Sequence, residues 1–220
     1  MNLNDQFTAV STLQLSLVVG FLVVIGVQLY YYLRYFFPLS KYYSTGKSST
    51  GEGVSIIVAA KNEVKAIEKC VQKLSNQSYP NFEIIIVNDY SEDGTLELLN
   101  GLKSNKLIVL NNENETGKKS ALSQGIEIAK HELLLFTDAD CLPNTNLWIS
   151  TMVRHFSAEK EIVLGFGAFQ KGRGVLNKLV RFEGFMTALQ YFGFAKAGQP
   201  YMGVGRNLAY RKSSFINIGG

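Results

Sequence analysis

Two aspartates, one residue apart, directly follow an apolar run in the stretch LLLFTDAD (133–140). Carboxylates this close repel each other unless water or a cation lies between them. In an extended segment, residues i and i+2 project to the same side, so Asp138 and Asp140 can address one ligand. Ions such as Mg²⁺ and Mn²⁺ are held by a few carboxylates, with water and substrate phosphates completing the shell. The pair therefore predicts a divalent cation shared with the diphosphate of a nucleotide.

Three other interpretations of this acidic pair remain open. An aspartyl-phosphate phosphatase also uses Asp-x-Asp after a strand, but on the first strand, and usually followed by x-Thr or x-Val. Here Cys141 and Leu142 follow instead. A hydrolytic acid/base pair needs carboxyl groups about 5 Å or more apart across a sugar, which neighbours at i and i+2 fit poorly. A solvated acidic turn without a ligand is the third.

The segment TGKKS (116–120) is similar to part of a phosphate-binding P-loop but lacks two of its requirements. Asn112 stands at the position of the first glycine, and Lys119 stands where Ser or Thr should follow the lysine. No G-x-G-x-x-G follows the apolar run at 54–60, which argues against a dinucleotide cofactor. Lys118 and Lys119 open a helical pattern, where backbone N–H groups and ammonium charges can meet an anion together.

The elements that position these residues alternate between apolar runs and helical patterns. We predict strands at 54–60, 82–87, 107–110 and 132–136, and helices at 64–74, 94–102, 118–130 and 146–155. This alternation predicts a parallel sheet covered on both faces. Ligands of such sheets lie beyond the carboxyl ends of the strands. Polar residues follow the first, second and fourth strands, so we expect them to converge at one edge.

An uncharged apolar stretch from about Leu13 to Tyr32 is long enough for a transmembrane helix. A cleaved signal peptide fits less well, because the leader MNLNDQ has no basic residue and the stretch ends in aromatic residues. Arg34, Lys41 and Lys47 follow, which places the C-terminal side in the cytoplasm by the positive-inside rule. We therefore expect a single-pass membrane protein whose catalytic domain faces the cytoplasm.

The predicted organisation has three parts: an anchor at 1–37, a linker at 38–52 and a globular domain at 53–220. The composition, with 46% hydrophobic residues, excludes a disordered chain. The net charge is +4, and scattered lysines and arginines argue against a nucleic-acid partner. The two cysteines and two histidines lack the spacing of a disulfide framework or a zinc site.

Taken together, the motifs resemble those of the family 2 glycosyltransferases, inverting enzymes with the GT-A fold. The matching segments, in the family's order, are VSIIVAAKNE (54–63), FEIIIVNDYSEDGT (82–95), TGKKSALSQGI (116–126), LLLFTDADCLP (133–143) and GVGRNLAYRKSSFINIGG (203–220). The resemblance implies an α/β architecture with a Rossmann-like, mostly parallel sheet flanked by helices. It also implies a nucleotide-sugar donor, a Mg²⁺ or Mn²⁺ ion, and a glycan or lipid-linked acceptor.

The resemblance also implies roles for individual residues. The residues expected at the donor nucleotide are Ala60, Asn62, Glu63, Asp89, Lys118 and Asp138. Of these, Lys118 lies near the base or the phosphates, and Asp138 faces the ribose or the donor sugar. Asp140 is expected to hold the metal, and Arg206 and Asn207 to lie beside the donor sugar and the acceptor.

An inverting transfer needs a general base to deprotonate the acceptor as it attacks. In this family the base belongs to a Glu-Asp pair shortly after a Gly-Gly, but here the sequence ends at Gly219 and Gly220. We therefore expect the base beyond Gly220, in a longer enzyme of which this is a piece. The expected reaction transfers a sugar to a polysaccharide, glycolipid or lipid phosphate of the cell envelope. A non-catalytic sugar-nucleotide-binding module is the main alternative.

The segment 174–198 has more apolar residues than one helical stripe accommodates. Two interpretations fit it: a buried helix, and an interfacial helix that lies against the membrane.

Overall fold

The computed structural model describes residues 3–42, 51–113 and 115–219. The helices of this part of the chain are α1 (Leu3–Tyr31), α2 (Phe37–Ser40), α3 (Ile67–Ser75), α4 (Thr95–Gly101), α5 (Lys118–Ile128), α6 (Trp148–Val153), α7 (Val175–Lys196) and α8 (Lys212–Asn217). The chain divides into two compact units. The larger unit consists of Ser44–Ala168 and Gly203–Gly220, and the smaller of Met1–Tyr43 and Phe169–Met202.

A six-stranded sheet forms the centre of the larger unit. Its strands are β1 (Val54–Ala60), β2 (Phe82–Asn88), β3 (Leu107–Asn111), β4 (Leu133–Phe136), β5 (Ile162–Leu164) and β6 (Leu208–Arg211). They lie in the order β3-β2-β1-β4-β6-β5. The pairs among β1, β2, β3 and β4 are parallel, whereas β6 is antiparallel to both β4 and β5. The predicted mostly parallel α/β sheet is confirmed.

The strands β1, β2 and β4 are buried on both faces of the sheet, to which their alternate residues point. Ile56 and Val58 of β1 belong to a core that contains side chains of α3, α4 and α6. Ile57, between them, belongs to a second core that contains Ala121 and Ile126 of α5. The continuous apolar runs of these strands are therefore explained by burial on both faces.

In the smaller unit, α1 continues through a π-helical turn at Tyr32–Phe36 into α2. The stretch Ser11–Ser40 contains an 18-residue window with a mean hydropathy of 2.1 and is long and apolar enough to cross a membrane. The C-terminal half of α7 packs on the π-helical turn, where the rings of Tyr35 and Phe194 stack at a centroid distance of 4.2 Å.

The predicted boundaries between the anchor, the linker and the globular domain stay a prediction. Residues 43–50 of the expected linker lie outside the described residues, and residues 38–40, at its start, belong to α2. The helix α7, which the sequence places within 53–220, groups with the N-terminal helix.

Candidate active site

The loops that follow β1, β2 and β4 meet at one edge of the sheet. β2 and β4 flank β1 on opposite sides, so the strand order reverses here, and such a switch point opens a crevice beyond the strand ends. Ala60 at the end of β1 is in register with Asn88 at the end of β2. β4 ends at Phe136, opposite Ile57, so its following residues run alongside the last residues of β1. The acidic pair of the fourth strand thus reaches the loop after the first.

A cavity of about 410 Å³ lies at this crevice. Its lining residues are Ala59, Ala60, Lys61, Glu63, Asp89, Gly117, Lys118, Asp138, Ala139 and Asp140. Six of the residues predicted from the sequence are therefore brought together here: Ala60, Glu63, Asp89, Lys118, Asp138 and Asp140.

A second cavity of about 500 Å³ shares Lys61 with the first. Its lining residues are Lys61, Asn62, Tyr90, Glu92, Glu115 and Thr116. Tyr90 is 50% exposed and has a φ of 53°, a left-handed conformation that is rare for a bulky residue and concentrates at functional sites. Tyr90 was not predicted from the sequence, although an aromatic residue directly after Asp89, in a strand-exit loop, was a usable signal.

Asp89 is 3% exposed and organises the loop before α5. Its Oδ1 accepts hydrogen bonds from the backbone N–H of Gly117 at 2.9 Å and from Nδ2 of Asn112 at 2.8 Å. The ammonium of Lys61 lies 3.9 Å from Oδ2. Burial alone raises the pKa of Asp89, but these hydrogen bonds and the lysine charge together lower its pKa below the ordinary value. Asp89 is therefore a carboxylate at neutral pH.

Asn62 ties the loop after β1 to the loop after β2. Its Oδ1 accepts a hydrogen bond from the backbone N–H of Glu92 at 2.8 Å, and its own N–H donates to Oγ of Ser91 at 3.0 Å. Asn62 has a φ of 56°, which asparagine tolerates better than most residues. The structure thus gives Asn62 a positioning role, and its contact with the donor stays a prediction.

The acidic pair itself is asymmetric. Asp138 forms an ion pair with the ammonium of Lys118 at the start of α5. Asp140 is exposed. Burial raises the pKa of Glu63, and the charges of Asp140, Asp93 and Asp138 raise it further. The negative charge that accumulates at this corner favours a cation.

The side chains present fit a hard divalent ion. Ligand atoms of Asp138, Asp140 and Cys141 all lie within 4.8 Å of one another. Burial, followed by the charge of Asp140, raises the pKa of Cys141 to about 11, so this thiol is protonated at neutral pH in the ion-free protein. The two carboxylates supply oxygen ligands, which suit Mg²⁺ and Mn²⁺.

Arg206 and Asn207 line neither cavity. The amide of Asn207 accepts a hydrogen bond from Nε1 of Trp148 at 3.0 Å and donates one to the carbonyl of Phe166 at 3.2 Å. The side chain of Arg206 packs so closely on Gly167 that a Cβ there would lie 2.8 Å from it. Their predicted roles beside the donor sugar and the acceptor stay predictions, as does the position of the general base.

The sequence is similar to known glycosyltransferases. The profile of glycosyl transferase family 2 matches residues 55–219. Glycosyltransferase GlyG of Streptococcus pneumoniae is 32% identical over 117 residues, which are 52% of this chain and 38% of that protein. The poly-beta-1,6-N-acetyl-D-glucosamine synthase of Staphylococcus aureus is 27% identical over 176 residues, which are 76% of this chain and 42% of that protein. The chain thus spans less than half the length of these curated relatives.

Solved structures share the fold. The mannosyltransferase PcManGT from Pyrobaculum calidifontis gives a TM-score of 0.59 at 18% identity, over 88% of this chain and 54% of that one. The mannosyl-3-phosphoglycerate synthase from Rubrobacter xylanophilus gives a TM-score of 0.51 at 18% identity, over 75% of this chain and 55% of that one. With the family match and the acidic crevice at the switch point, the chain belongs to glycosyl transferase family 2 and has the GT-A fold.

Proposed function

We propose that this protein is a glycosyltransferase that moves a sugar from a nucleoside diphosphate sugar to an acceptor, with inversion and with a divalent metal ion. The observation that carries the proposal is the switch-point cavity in which Lys118, Asp138, Asp140 and Glu63 meet. Proteins with this fold provide support: PcManGT is in complex with GDP-Man and Mn²⁺, and the glucosyl-3-phosphoglycerate synthase from Mycobacterium tuberculosis with UDP.

The proposed roles follow from charge and exposure. Asp140, the exposed carboxylate, holds the metal, and Asp138, kept in place by Lys118, faces the ribose or the donor sugar. Lys118 and the first N–H groups of α5 bind the diphosphate. When bound, the ion neutralises the charge that accumulates on the diphosphate as the bond to the sugar breaks.

The two adjacent cavities together suit the elongated shape of such a donor. We assign the diphosphate and sugar to the cavity with the acidic pair. The nucleoside then extends towards the second cavity, where the exposed ring of Tyr90 offers a surface on which a base can stack. Lys61, which lines both cavities, lies between the two parts of the donor.

The acceptor is proposed to be a glycan or a lipid-linked group of the cell envelope. The name of the Staphylococcus aureus relative, a polysaccharide synthase, supports a growing glycan. Inversion also requires a general base, proposed to be a carboxylate, that deprotonates the acceptor as it attacks. Product stereochemistry, read from the anomeric NMR signals, tests inversion; a retained configuration would contradict it.

We also propose that the Ser11–Ser40 stretch anchors the enzyme as a single membrane span, with the larger unit in the cytoplasm. Its length and mean hydropathy support the span, and the basic residues Arg34 and Lys41 that follow the apolar stretch support the orientation. Protease added to sealed, right-side-out membranes should leave the larger unit intact. Its digestion without detergent would refute the orientation.

Donor binding tests the central proposal. The full chain in detergent should bind UDP or GDP more tightly with Mn²⁺ than without it in calorimetric titrations. Asp140→Asn should remove this metal-dependent gain. Loss of an outer-shell partner of a metal already lowers metal affinity by roughly 10-fold, so the loss of a direct ligand should lower it by at least that much. Lys118→Gln should weaken nucleotide binding both with and without the ion, because the ammonium meets the diphosphate directly.

Glu97→Gln is the matched control, because it removes an exposed carboxylate of α4 that lines neither cavity. It should leave both affinities unchanged. An Asp140→Asn variant that retains the full Mn²⁺-dependent gain would remove Asp140 from the metal site and overturn the proposal.

A further inference from the structure

The N-terminal half of α7 exposes a largely apolar face, with Lys178 and Glu183 near its two borders. Its members are 51–75% exposed: Val175, Leu176, Leu179, Phe182 and Phe185. Their spacing places them on one side of the helix, while Ala188 and Tyr191, 4% and 2% exposed, belong to the opposite side. Exposed apolar patches that include several large side chains mark sites of interaction. We therefore expect this face to contact a membrane or another molecule.

The C-terminal half of α7 is fixed to the end of the apolar N-terminal helix. Gly193 lies so close to the carbonyl of Tyr35 that a Cβ would come within 2.8 Å of its oxygen. The Tyr35 hydroxyl donates a hydrogen bond to Oε1 of Gln199 at 2.9 Å, and its ring stacks on Phe194. Tyr35 follows Tyr30, Tyr31 and Tyr32, and aromatic belts of this kind lie at the membrane–water interface. This contact holds α7 at the depth of the belt.

The charge of this segment points to the chemistry of the occupant. Residues 169–202 contain five basic residues and a single acidic one, Glu183. The whole chain has a net charge of +4, so this segment accounts for its entire positive excess. Lys178 and Arg181 are exposed on α7 itself, and Lys171 and Arg173 immediately precede it. An apolar face flanked by cations matches the surface of an anionic bilayer.

We propose that the apolar face of α7 lies in the interfacial layer of an anionic membrane, on the side at which α1 ends. The helix is then a second membrane contact, parallel to the surface, beside the span. Pairing of this face between two copies is disfavoured, because a symmetric contact would bring the flanking cations of both chains together. Of the two interpretations that the sequence allows, the structure favours the interfacial helix for this half of α7.

The experiment uses the full chain reconstituted into phosphatidylcholine vesicles, with and without phosphatidylglycerol. Single cysteines at Leu179→Cys or Phe182→Cys carry an environment-sensitive fluorophore. Both are introduced into a Cys141→Ser background, since Cys70 is buried. We expect spin-labelled lipids to quench both positions, and iodide in the water phase to quench them poorly. Quenching by lipid should be stronger with phosphatidylglycerol, and Lys178→Gln with Arg181→Gln should abolish this difference.

Two outcomes would overturn the proposal. Efficient quenching by iodide together with none by spin-labelled lipid would place the face in water. Self-quenching that grows with the protein-to-lipid ratio, without quenching by lipid, would assign the face to a second copy. A label at Glu97→Cys, on an exposed position of the larger unit, serves as the water-accessible reference. Unchanged fluorescence of Trp148, in the larger unit, checks that each variant is folded.

Discussion

Substitution of Asp89 tests whether its hydrogen bonds stabilise the structure of the site. Asp89 lines the cavity, and its Oδ1 accepts hydrogen bonds from the loop before α5, which gives it a structural role. Replacing it with alanine leaves the amide of Asn112 and the N–H of Gly117 without this acceptor. Asn112 is 4% exposed, so water does not readily replace the carboxylate as its partner.

The expected destabilisation follows from the two hydrogen bonds that the alanine cannot accept. Each buried donor left without an acceptor costs about 1–3 kcal/mol, and Gly117 is only half-buried, so Asp89→Ala should destabilise the larger unit by about 3 kcal/mol. Asp89→Asn keeps one acceptor oxygen but loses the charge that faces Lys61. We expect about half the effect, roughly 1.5 kcal/mol.

The difference between the wild type and Asp89→Asn should depend on pH. Because the pKa of Asp89 is lower in the folded state than in the unfolded one, its carboxylate stabilises the fold above the unfolded value of about 4. This contribution is lost as the pH falls through the folded pKa. The two proteins should therefore differ most near neutral pH and converge below about pH 4.

Urea unfolding in detergent, followed by the fluorescence of Trp148, measures these differences, since the single tryptophan packs against the core of the larger unit. Glu92→Gln is the control: it neutralises an exposed carboxylate in the same loop and should change stability by less than about 0.5 kcal/mol. Equal stability of Asp89→Ala and the wild type would refute the structural role of Asp89.

Three further predictions concern packing and reactivity. Gly125→Ala should destabilise the larger unit by about 1–3 kcal/mol in the same urea assay, because the new Cβ would lie 2.7 Å from Cγ2 of Ile57; equal stability would contradict this close approach. Gly193→Val should push α7 off Tyr35, measured as faster hydrogen exchange of the π-helical turn, and unchanged exchange would count against the contact. Cys141, with a pKa of about 11, should react with iodoacetamide slowly at pH 8 and steeply faster towards pH 11; a fast reaction at pH 8 would show a thiolate.

The first four strands were predictable because each is a continuous apolar run in the sequence. β1 occupies the predicted residues, and β4 differs from its prediction by one residue. The antiparallel strands β5 and β6 were not predicted, because segments of three and four residues leave little pattern. The helix α3 begins at Ile67 rather than at 64, and residues 64–66 form a turn before it.

Most residues of the site could be predicted from the sequence, whereas the hydrogen bonds among them could not. Parallel strands have their carboxyl ends at one edge of the sheet, so the alternation of elements is enough to place Asp89 and Asp140 at the same edge. Which partner satisfies Asp89 depends on Gly117, twenty-eight residues later in the chain, and on how α5 lies against the sheet. Long-range contacts of this kind leave no local signal. The hydrogen bond between Asn207 and Trp148 could not be predicted from the sequence for the same reason.

The two aspartates of the acidic pair are not equivalent in the folded protein. In sequence they are the same residue at positions i and i+2, but α5 delivers the ammonium of Lys118 to Asp138 and leaves Asp140 exposed. The lysine relieves the repulsion within the pair, so the acidic corner is stable before any ion arrives. The proposed assignment of the metal to Asp140 rests on this asymmetry, because Asp138 is already paired with Lys118 whereas Asp140 is exposed. The start of α5, rather than the acidic motif alone, therefore makes the two carboxylates different.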